Sequence, residues 1–176
     1  SFTRKTEMRR IVIVILFFCN TASAQNKKAL PAYLDVQPAV FSLSMVMMHD
    51  VVNPPAASRF YAYAMMGAYE IVSQNNKTIP SLTALVKNYK AGHINASVKK
   101  YDHRIAAGYC ILETGRQMLP SGFMLEKQED EFIQKLKKNR ISQSIIDESI
   151  AVANLVAGEI VAYAKVDGYG KLSAKL

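Results

Sequence analysis

Apolar residues recur at helical spacing along nearly the whole chain, and no stretch alternates apolar and polar residues long enough to predict a strand. Residues 36–51, VQPAVFSLSMVMMHDV, are apolar almost all round and predict a central, buried helix. Two adjacent prolines follow. Asn53 is suited to cap a new helix, because its side-chain oxygen can accept from the free backbone N–H groups of the first turn. Pro54 fits the first helical position, where a missing N–H costs nothing, and Pro55 is tolerated in the same turn. The residue before a proline is driven out of the α region, so the preceding helix ends there. The pattern predicts a sharp corner between two apolar helices.

The second helix is expected to run to about Gln74, with Phe60, Ala64, Gly67, Ala68 and Ile71 recurring at helical spacing. Ala57, Ala64, Gly67 and Ala68 are small enough to let a neighbouring helix approach closely. NNKTIPS reads as a loop, after which Ser81 caps a short helix through Tyr89. KAGHINAS is a second break. A helix from about Tyr101 to Leu119 carries Ile105, Gly108, Tyr109, Leu112 and Met118 on its apolar side, and LPSG ends it. A more polar helix spans about Leu125 to Lys138. The last runs from about Ser142 to Lys165, with Ser144 and Asp147 as a weak capping box. Its inward side holds Ile145, Ser149, Val152, Val156, Ile160 and Tyr163, and DGYG stops it. The fold class is therefore all-α, a bundle of five or six helices.

The first residues follow a different rule. From Met8 the chain reads MRRIVIVILFFCNTASAQ: a basic pair, an unbroken apolar run from Ile11 to Cys19, then small residues at Ala22-Ser23-Ala24. That order predicts a signal peptide cleaved before Gln25. The run is far shorter than the ~20 residues of a membrane span. Residues 1–24, including those upstream of Met8, are read as the exported leader and residues 25–176 as a single α-helical domain. The expected location is periplasmic or secreted. No later helix reads as transmembrane: the longest weakly polar run carries Asn154 and Glu159. Four of the 22 basic and one of the 14 acidic residues lie in residues 1–24, so a formal charge of +8 falls to +5 for the rest. Those charges are scattered, which argues against a nucleic-acid partner. Cys110 would be the only cysteine left, excluding an intrachain disulfide or a cysteine metal cluster. Its apolar setting marks it as a small core residue rather than a nucleophile.

Candidate chemistry is thin. His49-Asp50 could begin a metal site in a phosphohydrolase, but His93 and His103 are the only other histidines. The favoured reading has His49 and Asp50 ending the first helix and binding the corner backbone or Arg59. Arg59, in an apolar helix, could hold an anion, though an ion pair with Asp50 or Glu70 is expected. Ser121 in LPSGF lacks triad context, since no G-x-S-x-G motif is present and no histidine follows it. Asn76 and Asn95 head Asn-x-Ser/Thr triplets of the kind that also arise by chance.

At VMMHDVVNPPAASRFYAYAMMGAYE, DHRIAAGYCILETGRQMLPSGF and AYAKVDGYGKLS the chain resembles the N-terminal helical region of soluble bacterial proteins in one superfamily. That superfamily joins vanadium-dependent haloperoxidases and type-2 phosphatidic acid phosphatases. The resemblance covers roughly Ala32 to Ser173. It implies a phosphate- or vanadate-binding site built from a Lys and Arg ahead of a Pro, a PSGH loop and an SRxxxGHxxxD-like motif. Cations and backbone N–H groups would hold the anion, with histidines acting as nucleophile or vanadate ligand and as acid or base. None of these elements is complete here. PSGF at Pro120 to Phe123 places Phe123 where a His would stand, and reads as a helix-ending loop; past Arg116 only Arg140 remains among arginines. No catalytic, cofactor-binding or metal residue is therefore assigned in this chain. The resemblance implies an incomplete half of a larger α-helical domain, a scaffold whose partner is a missing C-terminal catalytic half. The intact parent would hydrolyse a phosphate ester, or oxidise a halide with vanadate as cofactor. Two alternatives remain: a non-catalytic helical binding or structural module in the periplasm, and a small His-Asp metal phosphohydrolase.

Overall fold

Residues 31–92, 94 and 100–169 are described by a computed structural model of the chain. The expected signal peptide, His93 and Asn95 lie outside the described residues. Six α-helices are present among those described, and no strand. They are α1 (Gln37–His49), α2 (Pro54–Gln74), α3 (Leu82–Leu85), α4 (His103–Met118), α5 (Glu126–Lys138) and α6 (Gln143–Val166). Short 3-10 turns occupy Ala32–Leu34 and Gly122–Leu125. None of the described helices is long and apolar enough to cross a membrane.

The double proline builds the expected corner. Asn53 is extended, and its side chain accepts from Ala56 N at 3.0 Å while both prolines sit in the first turn of α2. On the other side, α1 closes with two backbone bonds, Val51 N to Met48 O at 3.1 Å and Val52 N to Met47 O at 2.9 Å. This paired arrangement is the Schellman ending, which needs a left-handed residue just past the helix. Val51 supplies it at φ 52°, a position usually given to glycine.

The bundle is built around α4, not α1. Every residue from Ile105 to Gly115 is buried, and α4 packs most extensively on α6 and α2. Small residues make that possible. A Cβ added at Gly67 of α2 would lie 2.7 Å from Cys110 Sγ, and one at Gly115 would lie 2.5 Å from Leu43 Cδ1. Backbones approach closely only where side chains are absent. The expectation that residues 36–51 form the central helix fails for this reason. Helix α1 is apolar but bulky, and it buries one stripe, Ala39, Leu43, Val46 and Met47, leaving Phe41, Met45 and Met48 exposed.

Helix α6 packs as its periodicity predicts, with Ser149, Val152, Val156 and Ile160 buried and Ile145 and Tyr163 partly so. Its start differs. Ser142 holds the cap position, Asp147 accepts from Gln143 Nε2 at 2.7 Å, and the Ser144–Asp147 box does not form the cap. Helix α3 is a single turn rather than a run to Tyr89. Ser81 caps it by accepting from Thr83 N, but Val86 turns extended and ends it.

Candidate functional site

Asp50 follows the last residue of α1 and reaches away from the corner. Its Oδ2 accepts from Ser121 N at 3.0 Å, tying the end of α1 to the PSGF turn. The Ser121 side chain and backbone together hold the Asp50 carboxyl below the usual carboxylate range. The expected partners, the corner backbone and Arg59, are therefore replaced by a loop 71 residues further on. His49 is exposed beside it. The PSGF segment ends α4 and passes into the turn Gly122–Leu125, as a helix-ending loop should. Its glycine is steric: a Cβ at Gly122 would sit 2.0 Å from the Arg116 carbonyl oxygen. Phe123 projects into solvent.

Arg59 does form an ion pair, but with Asp167 at the end of α6 rather than with Asp50 or Glu70. The Tyr63 hydroxyl donates to the same carboxylate oxygen. The guanidinium lies 4.9 Å from the Tyr63 ring centre and 3.9 Å from that of Tyr169. Such a cation held between two rings and a carboxylate is a structural clasp joining the start of α2 to the end of α6. Glu70 is fully buried and serves the next loop, accepting from Leu82 N at 2.8 Å, Ser81 Oγ at 3.0 Å and Gln74 Nε2 at 3.0 Å. Cys110 is buried in the core, and burial pushes its thiol up to about 12. It packs; it does not react.

Sequence reasoning passed over a polar cluster between α4 and α5. Arg116 donates to both oxygens of Glu113, at 2.6 and 2.7 Å, and Gln117 Nε2 donates to Glu113 Oε1 at 2.6 Å. Glu129 enters from α5. Its Oε2 lies 3.6 Å from Arg116 Nε, too long for a hydrogen bond, and its buried Oε1 has no donor. Burial, then a hydrogen bond with Glu113 and the charge on that residue, raise Glu129 to about 7. Burial opposes ionisation of Glu113 too, but the bonds from Arg116 and Gln117 outweigh it and leave Glu113 lowered. A signal existed: Glu129 stands three before Phe132 and seven before Leu136, on the one apolar stripe of a polar helix.

Among the described residues, no three His, Cys, Asp or Glu side chains lie together so as to hold a metal. Arg59, Arg104 and Arg116 are each engaged by a carboxylate, and Arg140 is exposed beyond α5. Three of the four are thus committed to carboxylates of the chain itself. What the structure does offer is a surface. Phe41, Met45, Met48 and Val51 are exposed along α1 and border two grooves, one of which Met124 also lines. Exposed apolar area of this kind would gain free energy by being covered.

A solved structure with the same helical arrangement supports a relation to the superfamily of vanadium-dependent haloperoxidases and type-2 phosphatidic acid phosphatases. It is the crystal structure of the first bacterial vanadium-dependent iodoperoxidase, with a TM-score of 0.69 and 26% sequence identity. The match covers 81% of this chain but 34% of that one, so the present chain spans about a third of its neighbour's length. No protein-family model matches the chain, and no curated protein matches it.

Proposed function

We propose that residues 25–176 are the N-terminal helical scaffold of an exported enzyme of the haloperoxidase and phosphatidic acid phosphatase type. Its oxyanion-binding side chains come from polypeptide outside this sequence. The observation that carries this reading is the likeness to an iodoperoxidase over 81% of this chain and only 34% of the other. The charge arrangement supports it, because three of the chain's arginines are engaged by carboxylates of the chain itself. So does the apolar side of α1, where a further helical layer would find a ready surface.

In this reading the chain's residues position rather than react. Helix α4 supplies the packed centre, the Arg59–Asp167 clasp fixes α2 against α6, and Asp50 anchors the PSGF turn. The complete enzyme acts on a phosphate ester, or on a halide with peroxide and bound vanadate. The test is reconstitution. Residues 25–176 are assayed alone and co-expressed with the polypeptide encoded immediately downstream, using p-nitrophenyl phosphate and, with vanadate and peroxide, iodide and bromide. Turnover that needs both polypeptides is expected. Turnover by residues 25–176 alone overturns the proposal, and a downstream sequence encoding no histidine-bearing helical segment favours the non-catalytic binding module instead.

A further inference from the structure

Two carboxylates buried against one guanidinium cannot both be ionised without leaving an uncompensated charge in the interior. That is the position of Glu113 and Glu129, whose residues are 4% and 7% exposed. Arg116 is committed to Glu113 through two short bonds and stands 3.6 Å from Glu129. Glu129 Oε1 is buried and accepts no hydrogen bond. A proton on Glu129 eases both defects: the second charge disappears, and the Glu129 carboxyl becomes a donor to Glu113. Losing that proton restores both.

The placement makes this matter for one helix. Glu113 belongs to α4, the best-packed element, whereas Glu129 belongs to α5, which is polar over most of its surface. Helix α5 is held inward by Phe132 and Leu136 together with Glu129. The titratable groups acting on Glu129 are Glu113, Arg116 and Tyr109, all from α4. The turn Gly122–Leu125 carries no titratable side chain. Tyr33 and Asp35 line a cleft with Gln128 and Lys135, and on α6 the exposed Asp147 is engaged by Gln143. Tyr109 packs its ring on Phe132, with centroids 6.2 Å apart, so the polar and apolar contacts of α5 share one neighbour.

We propose that Glu113 and Glu129 form a proton-operated latch that fastens α5 to α4 when one proton is shared between them and releases it when that proton leaves. Burial holds Glu129 near neutrality, with its proton lost at about 7, so the latch is closed in mildly acidic surroundings and opens in mildly alkaline ones. Nothing in this inference depends on the catalytic reading of the chain.

Amide hydrogen exchange on the whole chain tests it, comparing residues 126–138 with residues 105–115 at about pH 5.5 and about pH 8.5 after correction for intrinsic rates. The α5 amides are expected to lose about tenfold in protection at the higher pH while the α4 amides do not, and Glu129→Gln should retain full protection at both. Equal protection of α5 at the two pH values, or an unchanged pH response in Glu129→Gln, overturns the latch. Should that variant fail to fold, infrared spectroscopy of the unmodified chain decides. A protonated carboxyl band that disappears near neutral pH supports the proposal, and its absence at about pH 5.5 refutes it.

Discussion

Helix α1 carries Phe41, Met45 and Met48 into solvent, whereas α4 buries every residue from Ile105 to Gly115, the charged Glu113 included. Helix α4 is the less apolar of the two by composition. Its advantage is size: Ala106, Ala107, Gly108, Cys110 and Gly115 let helices close in on several sides, and each approach removes more surface from water. Helix α1 has bulk on every side and contact on one. Hydropathy states what a helix would gain by being covered; side-chain volume decides how many neighbours can cover it.

The sharpest way to break this contrast is a pair of truncations. Leu112→Ala in α4 should cost about 2–5 kcal/mol, the range for a buried leucine whose site cannot fully collapse. Met48→Ala in α1 should change stability by less than about 0.5 kcal/mol. Chemical denaturation of both variants is the measurement, and comparable losses would mean that α1 is as deeply packed as α4.

A smaller effect separates α5 from α4. Glu129 binds its proton more tightly when folded than an ordinary carboxyl does, so the stability due to that proton is complete below about pH 4 and disappears as pH rises through about 7. Glu129→Gln should therefore gain about 1–2 kcal/mol over the parent chain at about pH 8 and nothing at about pH 4, the figure being held down by solvent near the cluster. Urea midpoints at the two pH values would show a gain confined to the alkaline side. A gain of equal size at both would separate the effect from titration.

The corner gives the finest comparison, since α1 and α2 meet there with one suitable and one unsuitable residue. Asn53→Ala removes the acceptor for Ala56 N and should cost about 1 kcal/mol. Val51→Gly should be neutral or stabilise by up to about 1 kcal/mol, because the left-handed conformation penalises a β-branched side chain. Thermal melting of the two variants would reveal shifts of opposite sign, and a destabilised Val51→Gly would show that the exposed valine makes a contact worth more than its strain.

How much of this was legible in the chain depends on the range of the cause. Most local causes read correctly, the Ser144–Asp147 box and the length of α3 excepted. The Asn53 cap, the proline start of α2, the inward face of α6 and the PSGF ending of α4 all follow from residues a few positions apart. Partners across the fold did not. Arg59 was expected to meet Asp50 or Glu70, within 11 residues, but its acceptor is Asp167, 108 residues away. Asp50 found a backbone N–H 71 residues along. The Glu113–Arg116–Glu129 cluster was missed although Glu129 interrupts an apolar stripe, because a charge on such a stripe signals burial without saying what meets it. The resemblance to the haloperoxidase superfamily was read from three stretches, including the double-proline corner, and the likeness of fold to an iodoperoxidase agrees with it.

The corner also governs what the molecule presents to its surroundings. Leu43 is wedged against Gly115, Ser44 and Tyr61 share a hydrogen bond of 2.6 Å, and Asp50 is moored to Ser121, so α1 has no freedom to roll about its own axis. A rotation that hid Phe41 and Met48 would have to tear out all three fixings at once. The greasy flank is thus locked in the open by the fold's own rivets, and any chain that settles on it meets a mould already set.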